Sequence, residues 1–376
     1  MLSFWERESF LHYDTIIIGS GIVGLSTALS LQEQFPQKSI LILERGLMPT
    51  GASTRNAGFA CFGSLTEILH NIDTMGGEAI FAIIEKRIRG LARLRERVGD
   101  AALDYQHVGG YELIFKKEVP ALARIDEANE LLKPIFGDGV YAERRDLLAE
   151  FGFKNVESLV VNPHEGHVHT GKMMRALLKM AGEGGIEIHT GAEVLDINDS
   201  PDGAEISVRD AHRGTIVFKS KTAIICTNAF SNHFLPEKCI TPGRGQVLVT
   251  KPIANLKWRG ALHFDEGYYY FRNVGNRVLF GGGRNLAFET EATTDIQPND
   301  TILTELDRLL KTVILPETPY EIDMQWSGIM GFSDDYQPIV RRVSPHVILG
   351  FSCNGMGVSL AATIGDEVAG MFKESF

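Results

Sequence analysis

Six consecutive residues constrain this chain more than any others. Gly19-Ser20-Gly21-Ile22-Val23-Gly24 has the form GxGxxG. It follows the β-branched run Ile16-Ile17-Ile18, which reads as a strand buried on both faces. It opens a helix over Gly24 to Leu31, with Leu25, Ala28 and Leu29 on one side. Pro36 ends that helix, Ser39 to Leu43 reads as a second strand, and Glu44 closes it about 20 positions after Gly24. This is a βαβ unit with a dinucleotide fingerprint. Gly19 allows the tight turn, Gly21 lets the backbone approach a pyrophosphate, and Gly24 lets helix pack on strand. The helix start offers free N–H groups, at Ile22 and Val23 among others, and a partial positive charge. Glu44 can accept from ribose hydroxyls.

FAD and NAD both fit such a unit. A second GxGxxG is absent: neither Gly281-Gly282-Gly283 nor Gly355-Met356-Gly357 has its form, which disfavours a separate nicotinamide domain. One fingerprint near the start, a meander near 205–218 and a final glycine-rich turn into a helix suit a flavin held along its length.

A chain of 376 residues is too long for one ordinary core and suits two domains around a cleft. Acidic residues outnumber basic ones, 48 to 37, for a formal charge of −11, which disfavours a nucleic-acid partner. Cys61, Cys226, Cys239 and Cys353 include no CxxC pair, so reduced thiols are expected. Glu6, Arg7 and Glu8 are unlike a signal peptide. Thr15 to Leu31, the longest apolar region, is short and carries three glycines, so no transmembrane segment is expected and the expected location is cytoplasmic.

Periodicity fills in the rest. Helices are expected over Met75 to about Arg97, Val119 to Leu132, Lys172 to Gly182, Thr301 to Val313 and Ser359 to Phe372. Strands are expected at Tyr111–Phe115, Ile186–Ile188, Glu193–Ile197, Glu205–Val208, Thr215–Phe218, Thr222–Cys226, Gln246–Thr250, Tyr268–Arg272, Arg277–Phe280 and Val347–Leu349. The expected class is α/β with an α+β second domain: a Rossmann-type FAD-binding domain of 1–76, 159–243 and 327–376, and an inserted antiparallel-sheet substrate domain of 77–158 and 244–326.

Further motifs carry a resemblance over nearly the whole chain. They are Asp14 to Gly24 with Glu44-Arg45, Gly51-Ala52-Ser53-Thr54-Arg55-Asn56-Ala57-Gly58, Cys226-Thr227-Asn228-Ala229, and Arg244-Gly245-Gln246. Trp326-Ser327-Gly328 with Asp335 and Pro338, and Gly350-Phe351-Ser352 through Gly357, complete them. The sequence resembles the D-amino acid oxidase superfamily, which includes glycine oxidase, sarcosine oxidase and the gamma-glutamylputrescine oxidoreductases. The resemblance implies noncovalent FAD and hydride removal from the carbon beside an amine nitrogen, giving an imine that hydrolyses. It implies a small-molecule amine or amino acid substrate, with oxygen or a carrier as electron acceptor. It places Ser53, Thr54, Arg55, Asn56, Ala57 and Gly58 near the flavin phosphates and ring edge. Val194 falls on the adenine side, with Arg45, Thr227, Asn228 and Gly328 also at the cofactor. Asn354, Gly355, Met356 and Gly357 precede the last helix, whose N-terminus would face the flavin N1–C2=O edge.

The candidate catalytic residues are Tyr270, Arg272 and Arg244. Within Tyr268-Tyr269-Tyr270-Phe271-Arg272, alternation puts Tyr268, Tyr270 and Arg272 on one side of a strand, and one set can line a substrate cavity. Arg244 can face substrate or pair with a carboxylate in the core. His164, His167 and His169 form HxxHxH, which has no standard zinc spacing; no metal is expected, and a polar loop or helix cap is the better reading. Met330 stands where amino-acid oxidases of the family carry a carboxylate-binding arginine, and Leu279 where sarcosine oxidase-like members carry a lysine. Unless Arg244 or Arg272 replaces that clamp, plain amines are the expected substrates. No cysteine or histidine stands at the usual attachment places, although Cys353 lies close to the flavin turn. Two other readings compete: an NAD-dependent dehydrogenase, and a non-catalytic flavin-binding subunit of a larger dehydrogenase.

Overall fold

The computed structural model describes residues 2–351 and 354–373. Two large sheets organise them. The first has the order Ile339–Ser344, Val347–Phe351, Gly214–Ile225, His12–Ile18, Ile40–Glu44, Glu187–Thr190. Its centre is parallel: Ile16 pairs with Leu41 on one side and with Ala223 on the other. Ile16, Ile17, Leu41 and Ile42 are fully buried, as a sheet covered on both faces requires. The expected strands Thr215–Phe218 and Thr222–Cys226 are one strand, Gly214–Ile225. Its first half pairs antiparallel with Gly203–Asp210, and its second half parallel with the first strand.

Helix Ile22–Gln34 is buried from Ile22 through Leu31. It packs so closely on the final helix, Gly357–Lys373, that a Cβ on Gly365 would lie 2.6 Å from the backbone of Ser26. Arg97, at the end of helix Gly77–Val98, fastens all three. It binds Glu33 at 2.9 Å, Ser30 at 2.8 Å and Asp366 at 3.3 Å.

The second sheet has the order Ile322–Phe332, Thr241–Thr250, Arg277–Gly282, Tyr269–Val274, Ala261–Phe264, Gly110–Ile114, Ser158–Asn162, Ala142–Glu143. It is antiparallel apart from one parallel pair, Ala261–Phe264 with Gly110–Ile114. Its outer face is closed by helix Asp300–Leu309 and a π-turn Leu310–Ile314 over Phe271, Phe280 and Trp258. The expected boundaries at 158/159, 243/244 and 326/327 fall within strands of this sheet. The helix expected over Met75 to about Arg97 is Gly77–Val98, and a further helix, Leu65–Met75, precedes it across a break at Gly76. The helix expected from Val119 begins as a 3₁₀ turn, Lys116–Arg124, which contains Pro120, and continues as Ile125–Phe136. No helix among the described residues is long and apolar enough to cross a membrane.

Candidate active site

A cleft of about 1510 Å³ runs between the two sheets, larger than the roughly 300–1,000 Å³ of a drug-sized pocket. One end is built by the fingerprint. Gly19 turns with φ +101°, and a Cβ there would lie 2.9 Å from the Cys226 carbonyl. A Cβ on Gly24 would lie 2.0 Å from the Gly19 carbonyl, so the turn and helix start close only around glycine. Gly24 thus shapes the cradle from behind and does not line the cleft, whereas Gly19, Gly21, Ile22 and Val23 do.

Glu44 lines the cleft at the end of its strand. One carboxylate oxygen accepts from the Ser20 N–H (3.0 Å) and hydroxyl (2.8 Å), and the other from the Gly46 N–H (2.9 Å). A carboxylate has about four lone-pair sites, so acceptor capacity is left for a ribose hydroxyl. Arg45 lies 4.0 Å over the Phe230 ring, and Val194 lines the same end.

The loop 51–58 forms the middle of the wall. Ser53 accepts the Ile22 N–H at 2.8 Å, and Ser53, Ala57 and Gly58 line the cleft. Arg55 and Asn56 line it too, and the polar side chains of Thr54, Arg55 and Asn56 bond nearby backbone groups. Thr54 donates to the Pro49 carbonyl and does not reach the cleft. Asn56 donates to the Ala52 and Ser53 carbonyls and accepts from the Gly58 N–H at 2.8 Å. Arg55 donates to the Thr50 and Ser327 carbonyls, both at 2.9 Å, close against Gly328. Asn228 (φ +53°) donates to the Ile329 carbonyl, and its buried Oδ1 has no partner among the described residues. Thr227, Asn228, Gly328 and the turn Asn354, Gly355, Met356 and Gly357 all line the cleft. The final helix therefore starts at the cleft, as does Ile22–Gln34, so two helix N-termini border one space.

This donor set fits FAD. It offers a glycine cradle for a pyrophosphate, an acid with spare acceptor capacity, an orphaned amide oxygen and a second helix N-terminus. Cys353 and Ser352 lie outside the described residues.

The other end is aromatic. Tyr268 and Tyr270 line it, while Tyr269 and Phe271 point the other way into the outer core. Burial pushes the Tyr270 phenol up to about 12. Phe59 packs 4.8 Å from the His263 ring and 5.7 Å from the Tyr270 ring. His263, which sequence reading missed, lines the cleft with Nε2 3.7 Å from the buried Glu165 carboxylate.

Arg272 does not line the cleft. It lies behind Gly58, 6% exposed, donating to the Val168 carbonyl at 3.1 Å. Burial lowers it to about 10, opposed by the charge of Asp104. Arg244 also stays out of the cleft. It binds fully buried Glu291 through two bonds of 2.9 and 2.7 Å, and its other N–H groups reach the Asp295 and Thr290 carbonyls. Burial acts to raise the Glu291 carboxyl, but bonds from Arg244, Asn299 and Gln246 outweigh it and hold the group below its ordinary range. Met330 and Arg284 line the cleft, and Leu279 is buried among Val247 and Val249.

The three histidines of HxxHxH are separated in role. His164 packs 4.2 Å from Phe136, and His167 is buried in a short strand with Phe59–Ala60. His169 caps helix Thr170–Glu183 by accepting the Lys172 N–H.

The family model described as FAD dependent oxidoreductase matches residues 14–371. The probable oxidoreductase OrdL of Haemophilus influenzae is 23% identical over 95% of this chain and 82% of its own length. Among solved structures, glycine oxidase from Geobacillus kaustophilus aligns with TM-score 0.75 at 19% identity, over 97% of this chain and 96% of that one. L-proline dehydrogenase from P. horikoshii aligns with TM-score 0.76 at 19% identity, over 97% and 94%.

Proposed function

The chain belongs to the FAD dependent oxidoreductase family, and from that premise we propose that it takes hydride from the C–H bond beside the nitrogen of a small amine or amino acid. Loss of hydride from the neutral amine leaves an iminium ion, which gives up its N–H proton to become an imine, and water hydrolyses the imine to a carbonyl compound and ammonia or an amine. FAD supplies the two-electron acceptor.

One observation carries this reading: the fingerprint, the start of the final helix and the aromatic face of the second sheet line a single cleft. Gly19, Gly21 and the Ile22 end of the helix hold the pyrophosphate, and Glu44 receives ribose hydroxyls. The Gly357 helix start would offer N–H groups to negative charge on bound FAD. Tyr270, with Phe59 against it, forms a dry wall for the substrate, which favours the uncharged amine over the ammonium. Arg272 acts through the wall at Gly58 as a fixed positive charge rather than by touching substrate. The FAD is held without a covalent bond.

The test is anaerobic. Purified yellow protein is mixed with amines, N-methyl amino acids, amino acids and 2-hydroxy acids, and bleaching of the flavin absorbance is followed. Bleaching by nitrogen compounds, with all flavin released by acid precipitation, is the expected result. Bleaching by 2-hydroxy acids alone, or by nothing, sinks the amine reading.

A further inference from the structure

We propose that Arg284 receives a carboxylate of the substrate, so that this site takes amines bearing an acid group in preference to plain amines. The inference rests on the reading above and reverses the expectation drawn from Met330.

Three arginines of the second sheet could serve. Arg244 has given both arms of its fork to Glu291. Arg272 lies behind the Gly58 backbone, where a Cβ would be 3.1 Å from its Nη2. Arg284 alone of the three lines the cleft. It follows Gly281-Gly282-Gly283, starting a 3₁₀ turn, Arg284–Leu286, at the point where the strand Arg277–Gly282 leaves the sheet.

The setting of its guanidinium is specific. Its central carbon lies 4.1 Å from the ring centre of Phe332 and 4.8 Å from that of Phe288. Rings over a planar cation hold its orientation and leave the N–H edge as the part able to bind. Among the described residues that edge has no ion pair within 4.0 Å and donates no hydrogen bond. The charge of Glu291 reaches Arg284, but that carboxylate is already held by Arg244, Gln246 and Asn299. Asp334 and Asp335 stand at the rim and are exposed, where water screens them. Burial makes the cation less favourable, with the Tyr268 and Tyr336 hydroxyls opposing. A desolvated cation with free fork donors, facing a cleft, has a carboxylate as its natural complement.

The position also suits the substrate. Phe332 and Met330 lie on the same face of strand Ile322–Phe332, two residues and about 7 Å apart. Met330 reaches toward the final turn, its sulfur 3.9 Å from where a Gly355 Cβ would be. Arg284, over Phe332, is thus one side-chain step farther along the cleft than an arginine at 330. The acid group it holds belongs farther from the reacting carbon.

The experiment uses the FAD-loaded protein as wild type, Arg284→Met and Arg284→Lys. Benzoate is titrated against the flavin absorbance spectrum. Separately, matched pairs whose acid group lies away from the reacting carbon, such as butylamine and 4-aminobutyrate, or propylamine and 3-aminopropanoate, are compared for half-saturation of anaerobic bleaching. The wild type should bind benzoate and half-saturate with the acid member at concentrations at least about tenfold lower. Arg284→Met should weaken benzoate binding at least about tenfold and erase the pair preference, with FAD content unchanged. Arg284→Lys should fall between, since it keeps charge without the fork. A wild-type preference for plain amines, or Arg284→Met with unchanged benzoate affinity and pair ratio, overturns the proposal. If no nitrogen compound bleaches the flavin but benzoate binding depends on Arg284, the amine chemistry fails and the anion site stands.

Discussion

Glu112 is fully enclosed, 3% exposed, and its carboxylate accepts the backbone N–H of Thr66 at 3.2 Å and the Thr66 hydroxyl. Burial pushes it up to about 7, against the pull of those two bonds. The sign of the linkage follows. A folded-state pKa above the unfolded one means the folded chain binds the extra proton between pH 4.5 and about 7, so stability is full below that window and falls as pH rises through it. With roughly 1.4 kcal/mol for each pKa step, the loss is bounded at about 3 kcal/mol. Glu112→Gln should flatten this part of the profile and raise the unfolding midpoint at pH 8 relative to wild type, while leaving it nearly equal at pH 4.5. Urea unfolding at both pH values measures it, and a parallel shift of the variant at both would refute the titration. At this scale the sequence made the backbone half of the site legible, because GxGxxG is a demand on φ and on space, and Gly19 and Gly24 meet it locally. Polar side chains were less legible. Thr54 turned inward, and the Asn56 amide is engaged by the loop, because small polar residues in tight loops bond the nearest backbone groups. The separation of Arg244, Arg272 and Arg284 depends on Glu291, Gly58 and Phe332, which the fold brings together from afar.

The helix expected from Met75 forms as Gly77–Val98, but the helix before it, Leu65–Met75, was not expected, and one residue sets the two apart. Gly76 stands at φ +87°, ψ 153°, a region open essentially only to glycine, between Leu65–Met75 and Gly77–Val98. Nothing lies within 4 Å of a Cβ placed there, so an added methyl meets no clash, only the wrong backbone. Gly76→Ala should therefore cost about 1–3 kcal/mol, read as a lowered denaturant midpoint with an unchanged slope. A cost under a few tenths would show that the joint relaxes freely. The same cause explains other differences between pattern and element. Periodicity reports which face is buried, and it falls silent where a strand changes neighbours. Gly214–Ile225 does so near Ser220, which pairs with Ala204 on one side and Tyr13 on the other, and the sequence therefore read as two strands. The short helix Phe4–Phe10 buries nothing and left no periodic signal, although Ser3 and Glu6 form the capping box that could have marked it. The buried parallel strands were legible because they are covered on both faces.

Across the whole molecule, the loop 51–58 is one place where the parts carrying the two sheets are joined. Arg55 donates to Thr50 within its own loop and to Ser327 on the second sheet, while its carbonyl accepts the Trp326 indole N–H at 2.9 Å. Arg55→Met removes two charge-assisted bonds to half-buried carbonyls and should cost about 1.5–3 kcal/mol. Because Ser53, Ala57 and Gly58 of the same loop line the cleft, FAD affinity should fall with it. FAD at a hundred times its dissociation constant should return about 2.7 kcal/mol, seen as a raised melting temperature. A lowered melting temperature with unaltered FAD affinity would show that the joint and the cofactor site are independent.

The pairing of the first sheet sets an order on synthesis. His12–Ile18 emerges early, yet one of its two neighbours is Gly214–Ile225, and helix Ile22–Gln34 is covered by the final helix. A nascent chain stopped before residue 214 carries an apolar strand with an open edge, the kind of edge that joins another chain. The cradle formed by Gly19, Gly21 and Gly24 is thus made well before the strand Gly214–Ile225 and the helix Gly357–Lys373 that complete it. Ribosome-bound chains should resist protease at these residues only after the helix Gly357–Lys373 has left the exit tunnel.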